Sequence, residues 1–323
     1  MRIGILATGP MARTFTETLV KMPETVTLEA VASRDIEKAE AFKKEFGFNK
    51  AYGDYEEMMK DKDVDLIYIA TPHHRHAEMM KLCIKNHKAV LCEKAFTVNA
   101  KEAKEIKELA NKEKVLVAEA IWPRYMPSRA IINEAINSGL IGKINILTGN
   151  LAYIIYMNDR LVNPDKAGGA LLDVGVYGIN FAFQCFGSDY ERIETSVKMT
   201  DTGVDGMETI TIFYKDGRMA VLTHSLYSRS DRKGIIYGDK GYIVVENINN
   251  PNSVNVYDCD DKLIKHYDVP EQISGYEYEV LECEKCLKEG LIEAPSMPLD
   301  DSIKMMETMD EIRGIWGLKY PFE

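Results

Sequence analysis

Short apolar runs alternate with stretches of helical spacing through the first 120 or so positions. Residues 2–7 (RIGILA) read as a strand, Thr8-Gly9-Pro10 as a turn, and residues 11–21 as a helix. Residues 27–32 predict the next strand, 36–46 a charged helix, and 65–70 (DLIYIA) a nearly continuous apolar strand that stops at Thr71-Pro72. Helix 76–86, strand 89–92, helix 100–112 and strand 115–120 complete the series. Strands that are apolar on both faces, separated by helices of this length, form a parallel sheet covered on both sides. The fold class expected for residues 1–121 is therefore α/β, doubly wound.

From about residue 140 the rhythm changes. After a helix at 127–137 and a glycine turn at 139–142 come longer alternating strands, at 143–153, 193–200, 207–214, 218–225, 234–238, 242–247 and 253–258. Tight turns such as Lys215-Asp216-Gly217 join several of them, which is the signature of an antiparallel sheet. Residues 122–323 are expected to be an α+β domain with a large, mostly antiparallel open sheet, closed by helices at 276–288 and 299–316. One helix, 168–186, is available to cover that sheet. Its other face, to which Ile210, Ile212, Val221 and Tyr237 are assigned, then needs a partner. A homodimer through this sheet is expected, or a tetramer built from such dimers.

The helix at 168–186 starts from Gly168-Gly169 and is apolar or small almost throughout, yet it carries Asp173 and Tyr177. Four residues separate them, so on an α-helix they lie only about 40° apart. A carboxyl and a phenol on one face of a buried helix need polar partners or a cleft. Elsewhere, Ala7-Thr8-Gly9-Pro10-Met11-Ala12 follows the first strand and opens the first helix. It resembles the dinucleotide fingerprint G-x-G-x-x-A, in which backbone N–H groups at a helix N-terminus receive a pyrophosphate, with Ala7 in place of the first glycine. At the tip of the second strand stand Ser33 and Arg34, with Asp35 one place later. An acidic residue there suits a ribose 2′-hydroxyl and an arginine a 2′-phosphate, which favours NADP, with NAD the alternative. Asp35 can equally serve as the cap of the following helix. Glu93-Lys94 directly follows a buried strand, and the carboxyl ends of strands are where open α/β sheets bind ligands.

The 323 residues are 46% hydrophobic and 28% charged, as in ordinary globular proteins. A net charge of −11, with acidic and basic residues mixed along the chain, argues against nucleic acid as a partner. No apolar run long enough to span a bilayer (about 20 residues) and no signal-peptide cleavage pattern is found, so a cytoplasmic protein without membrane association is expected. The six cysteines read as reduced thiols. Neither Cys283-Glu284-Lys285-Cys286, which lacks a second pair, nor His73-His74-Arg75-His76, which lacks carboxylates or thiolates at ligand spacing, reads as a metal site.

Together these stretches resemble the glucose–fructose oxidoreductase, inositol dehydrogenase and rhizopine-catabolism (Gfo/Idh/MocA) oxidoreductases over essentially the whole chain. The matching pieces are the N-terminal fingerprint; Ala70-Thr71-Pro72 with His76, where that family often reads T-P-x-x-x-H; Glu93-Lys94-Ala95 for its E-K-P; Gly139-Leu140-Ile141-Gly142; and the segment 168–175. Residues 119–125, Thr202-Gly203-Val204-Asp205, and Tyr177 at a position often held by histidine are similar to the dimeric dihydrodiol dehydrogenases and related sugar dehydrogenases.

The resemblance implies an N-terminal Rossmann domain and hydride transfer between nicotinamide and a carbinol carbon of a polyhydroxylated small molecule, a sugar, polyol or dihydrodiol. It places Lys94 and Tyr177 beside the reacting oxygen, the lysine favouring the phenolate that a tyrosine base requires. It gives Asp173 a substrate hydroxyl to hold or the lysine to orient. Trp122, Arg124 and Tyr125 are placed along the substrate pocket, and Ala70, Thr71, Pro72, His73, His76, Glu93 and Lys94 along the cofactor. The alternatives are a non-catalytic NADP-binding sensor and a nicotinamide-assisted glycoside hydrolase.

Overall fold

Five strands with almost no exposed residue make up most of the first sheet. In the computed structural model, which describes all 323 residues, they are β1 (Arg2–Leu6), β2 (Thr27–Ala32), β4 (Leu66–Ile69), β5 (Ala89–Glu93) and β6 (Val117–Ala120), with the short β3 (Lys50–Tyr52) at one edge. Every pairing is parallel, in the order β3-β2-β1-β4-β5-β6. The connecting helices are α1 (Pro10–Leu19), α2 (Ile36–Phe46), α3 (Tyr55–Met59), α4 (His76–Lys85) and α5 (Ala100–Glu113). Asp35, Asp54 and Asn99 cap α2, α3 and α5 by accepting backbone N–H groups of the first turn. In such a sheet all carboxyl ends share one edge, and the winding reverses between β1 and β4, which makes that edge a ligand-binding crevice.

This compact unit comprises residues 1–125 together with 272–306. It extends past residue 121 because Trp122 stacks on Tyr276 (ring centroids 4.4 Å) and Arg124 pairs with Asp301 at 3.0 Å. A single cut near residue 121 therefore does not describe the chain: a late segment carrying the helix Glu277–Glu289 returns to the first unit.

The second unit, residues 126–271 with 307–323, is built on an eight-stranded sheet in the order β14-β13-β12-β11-β7-β10-β9-β8. Its strands are β7 (Ile144–Ala152), β8 (Tyr190–Met199), β9 (Asp205–Tyr214), β10 (Met219–Ser225), β11 (Gly234–Gly238), β12 (Gly241–Glu246), β13 (Ser253–Asp258) and β14 (Leu263–Asp268). Only β7 and β10 pair in parallel. The unit's helices are α6 (Pro127–Asn137), the short α7 (Asp159–Val162) and α8 (Val176–Phe186). Strand β14 escapes the sequence pattern because it is an edge strand with five of six residues exposed, so it lacks the one-sided apolar alternation.

Helix α8 lies on one face of the sheet, and a glycine notch lets it approach. Gly149 of β7 and Gly234 of β11 are register partners, and the ring of Phe181 fills the space that their side chains would take. On the same face Ile210 and Ile212 are fully buried, opposite Leu222 and Ala220. The assignment of those two isoleucines to the uncovered face is thus corrected. Strand alternation puts Met207, Thr209, Thr211 and Phe213 there instead, in rows with Val221, Thr148 and Ile235, and with Met219, Ile146 and Tyr237.

The segment expected as one helix from residue 168 is not regular. It passes through a π-helical turn, Leu171–Gly175, before α8 begins. The chain also does hold one stretch, Pro164–Phe186, long and apolar enough to cross a bilayer, which corrects the expectation of none; 89% of that window is buried inside the fold.

Gly234→Ala is expected to push its new methyl into the Phe181 ring and lower the unfolding free energy by about 2 kcal/mol, as overpacking of a rigid core site does. Urea unfolding followed by circular dichroism measures this, and an unchanged midpoint would refute the notch.

Candidate functional site

One group of candidate residues lies at the carboxyl edge of the parallel sheet. Gly9 caps α1 in an extended conformation, Pro10 occupies the first helical position, and nothing lies within 4 Å of where a Gly9 side chain would begin. The N-terminus of α1 therefore faces open space with no acidic residue in its first turn, as an anion site requires. Ala12 is fully buried, as close helix–strand packing demands. Ala7 adopts φ +86°, the left-handed conformation that the fingerprint's first glycine takes without cost. The turn thus survives the alanine, and these residues fit a dinucleotide pyrophosphate.

At the tip of β2, Asp35 accepts the N–H groups of Glu37 (3.1 Å) and Lys38 (3.4 Å), and Ser33 Oγ accepts that of Asp35 (3.3 Å). The carboxylate is therefore engaged in helix capping. Arg34 is exposed, and its guanidinium, with that of Arg75, acts on the phenol of Tyr55, opposing the burial that pushes this phenol up.

Beyond β4 and β5 the edge is tied together from below. The Tyr68 hydroxyl, fully buried and stacked on Phe15 (centroids 3.7 Å), donates to Glu93 Oε1. His76 is fully buried, with Nδ1 2.8 Å from the Ala95 carbonyl and Nε2 2.8 Å from that of Thr71. Carbonyls only accept, so the imidazole bridges the β4–α4 loop to the loop that carries Lys94. Its contribution is the placement of that loop rather than an open face. The Lys94–Ala95 peptide bond is cis. Thr71 and His73 are buried here, and Ala70 and Pro72 are half-buried.

Trp122, Arg124 and Tyr125 all belong to this unit, and each is at most 8% exposed. The indole stacks on Tyr276, the guanidinium holds Asp301, and the Tyr125 hydroxyl donates to the Glu119 carbonyl at 2.7 Å. Their side chains are thus engaged in the packing of the unit. No group of three or more His, Cys, Asp or Glu side chains is arranged to hold a metal ion.

A second group of candidate residues belongs to the other unit and lies on the π turn and α8. The N–H of Val176 bonds to the carbonyl of Leu171, five residues back, and π turns of this kind recur at functional sites. Asp173 is 7% exposed and accepts from Arg160 Nη2 at 2.9 Å; Tyr177 is 8% exposed. Arg160 went unnoticed in the sequence because it sits on the short polar helix α7, 13 positions from its partner.

A second feature missed from the sequence is a buried ionisable cluster on the covered face of the sheet. Glu208 and His224 are direct cross-strand neighbours, with Nδ1 3.1 Å from Oε1, and both are about 1% exposed. Asp205 is fully buried and accepts the Leu171 N–H at 2.6 Å. Burial pushes both carboxyls up to about 8 and lowers His224 to about 3. Asp205 Oδ1 and Glu208 Oε2 are buried without a hydrogen-bond partner, which further disfavours their ionised forms. The available signal was Glu208 itself, in phase with Ile210 and Ile212 on an inward face.

Two family models agree with this architecture. Residues 1–121 match the family model described as oxidoreductase family, NAD-binding Rossmann fold, and residues 130–244 match the GFO/IDH/MocA C-terminal domain. The protein is thus of the class of two-domain, nicotinamide-dependent oxidoreductases. It belongs to the GFO/IDH/MocA family.

Its relatives include trans-1,2-dihydrobenzene-1,2-diol dehydrogenases. That of Xenopus laevis is 34% identical, with 98% of each chain covered, and that of mouse is 32% identical, with 99% of this chain and 98% of the relative covered. Similar solved structures include a 3-ketoreductase from Actinomadura kijaniata in complex with NADP and TDP-benzene (TM-score 0.89, 22% identity, 97% of each chain). Another is an aldose–aldose oxidoreductase from Caulobacter crescentus (TM-score 0.87, 16% identity, 97% and 96%). At these identities the two structures bear on the fold.

The buried carboxyls make a pH prediction. A carboxyl raised in the fold contributes stability that is fully present below its unfolded pKa of about 4 and is lost as pH rises through about 8. His224, lowered in the fold, costs stability only below its unfolded value of about 6.5. Stability is therefore expected to fall most steeply between about pH 6.5 and 8, and Glu208→Gln should flatten that fall. Urea midpoints across this range check it; equal slopes for the two proteins would contradict the assignment.

Proposed function

We propose that this protein is an NADP-preferring dehydrogenase that transfers a hydride between nicotinamide and a carbinol carbon of a dihydrodiol, sugar or polyol. The observation that carries the reading is the full-length likeness to dihydrodiol dehydrogenases at 30–34% identity, together with Lys94, Asp173 and Tyr177 in this chain. The preference for NADP is supported by the tip of β2, where Asp35 is engaged in capping and Arg34 stands exposed with Arg75 acting on the same phenol.

When bound, nicotinamide supplies the hydride acceptor. Residues 8–12 hold the pyrophosphate on the N-terminus of α1, and Ser33 and Arg34 take the adenosine ribose and its 2′-phosphate. Residues 70–73 and the loop placed by His76 border the nicotinamide half. Oxidation of an alcohol also requires loss of its hydroxyl proton as the C–H bond breaks. Tyr177 takes that proton at its phenolate oxygen, and the Lys94 ammonium favours the phenolate and donates to the substrate oxygen. Asp173, held by Arg160, accepts from a second substrate hydroxyl. In the reductive direction the same tyrosine returns the proton.

Purified protein is expected to oxidise trans-dihydrodiols, aldoses or polyols with NADP+ in preference to NAD+. Tyr177→Phe should lower kcat by about 10²–10⁴-fold, and Lys94→Ala by at least about 10²-fold, both leaving NADPH binding within a few-fold. Arg34→Ala should raise KM for NADP+ by about 10–100-fold and leave NAD+ nearly unaffected. NADPH binding without turnover of any such substrate would favour a sensor. Release of a sugar without net change in NADPH would favour a hydrolase.

The uncovered face of the eight-stranded sheet supports a homodimer. Its central rows juxtapose Val221 with Thr148 and Ile235, and Met219 with Ile146 and Tyr237, a broad band that one-sided burial by α8 leaves open. Sedimentation equilibrium should give twice the 36.6 kDa chain mass. Val221→Arg should halve it, and a monomeric wild type would end this part of the proposal.

A further inference from the structure

The cluster Asp205, Glu208 and His224 has no part in the chemistry proposed above, yet one of its carboxyls holds the turn that carries Asp173. Asp205 Oδ2 accepts the N–H of Leu171, the first residue of the π turn, at 2.6 Å. Ala170, which precedes that turn, offers no capping side chain, so β9 supplies the cap from outside the helix. On the other side, the Tyr320 hydroxyl donates to the Gly168 carbonyl at 2.7 Å.

The glycines of this segment answer to the same three side chains. A side chain added at Gly169 would meet Asp205 under 3.0 Å, one at Gly175 would meet Glu208, and one at Gly178 would meet His224. Three separate glycines thus each make room for one member of one cluster. A role in packing alone is a poor account of this. An apolar trio would fill the same volume without desolvating three ionisable groups, which costs free energy unless each is paired. What the polar trio adds is direction: a carboxyl aimed at one N–H, held in turn by a neighbour, fixes a single register of the backbone.

We propose that Asp205, Glu208 and His224 are positioning residues for the reaction at Asp173 and Tyr177, because together they lock the Leu171–Gly175 turn and so the direction in which those two side chains leave the helix. This rests on the dehydrogenase reading for the reaction it serves, but not for the lock itself. Pushed up to about 8 by burial, both carboxyls are mostly protonated at neutral pH, so they sit against the helix backbone with little charge. Glu208 and His224 do not touch the turn's N–H. They orient Asp205, whose remaining oxygen has no other partner. Thr202-Gly203-Val204-Asp205 thereby gains a purpose, delivering a carboxyl to the start of the helix that carries Asp173 and Tyr177.

The test has two independent arms, applied to Asp205→Ala, Asp205→Asn, Glu208→Gln and Gly178→Ala, the last of which drives a methyl against His224. In the first arm, 3-fluorotyrosine is placed at position 177 and its ¹⁹F resonance is recorded without substrate. The lock predicts a shifted or broadened signal in Asp205→Ala and Gly178→Ala. It predicts a signal near wild type in Asp205→Asn, whose amide oxygen can still accept the Leu171 N–H. In the second arm, kcat should fall about 10²-fold in Asp205→Ala, as small misplacement of reacting groups costs, with NADPH affinity within twofold of wild type. Asp205→Asn should recover most of that loss, and Glu208→Gln should lie between the two.

If the Ala variant does not fold, Gly178→Ala and Glu208→Gln carry both arms. Variants that lose thermal stability but keep the wild-type ¹⁹F signal and kcat would overturn the proposal and leave a purely structural cluster. If the wild type turns over none of the alcohols tried, the dehydrogenase reading fails while the ¹⁹F arm still decides the lock.

Discussion

How closely a helix backbone can approach a sheet depends on what stands between them, and here that is almost nothing. The segment from Gly168 to Phe186 lies on the eight-stranded sheet through glycines on both sides of the contact: Gly149 and Gly234 under Phe181, and Gly169, Gly175 and Gly178 over Asp205, Glu208 and His224. Larger residues at these positions would lift the helix away and expose the ionisable cluster to the water it is shielded from. The rest of the second unit follows from that approach. It gives the π turn an external cap, keeps Ile210 and Ile212 in the core, and leaves the opposite face of the sheet uncovered.

In the first unit the governing demand is that buried polar groups be satisfied, and the carboxyl edge of the parallel sheet shows how this shapes a binding surface. Asp35 caps α2, His76 joins two carbonyls, and Tyr68 holds Glu93. Each of these could be mistaken in the sequence for a ligand-binding group, and each is instead engaged in holding a loop. What remains directed outward is the uncapped N-terminus of α1 beside Gly9, and Arg34. Both attract anions, which is the electrostatic character that a phosphorylated dinucleotide needs.

The polar residues of the second unit obey the same economy. Asp173 is held by Arg160, and the turn beneath it by Asp205, so a side chain proposed to meet substrate is supported at both its charge and its backbone. Support of this kind limits the conformations open to a reacting group, and positional accuracy below an ångström is what separates a fast enzyme from a slow one.

The sequence by itself determined the elements whose signal is local. The buried strands at β1, β4 and β5, the capped helices between them, the glycine turn at residue 9 and the antiparallel alternation of β9 and β10 all follow from periodicity and turn chemistry acting over a few residues. It also marked Lys94, Asp173 and Tyr177, because their polar character stands out against apolar neighbours.

Tertiary structure alone decided the rest. Which face of β9 is covered depends on where α8 lands, and the alternation of the strand is the same for either choice. The return of residues 272–306 to the first unit depends on Trp122 meeting Tyr276 across 154 positions and Arg124 meeting Asp301 across 177. The shift of Asp205 and Glu208 toward protonation depends on burial, and for Asp205 also on the charge of Glu208, and neither is a property of residues spaced three apart in a chain. Local periodicity sets what a segment can be, whereas solvent exclusion and long-range pairing, which need the folded chain, set what each side chain is for.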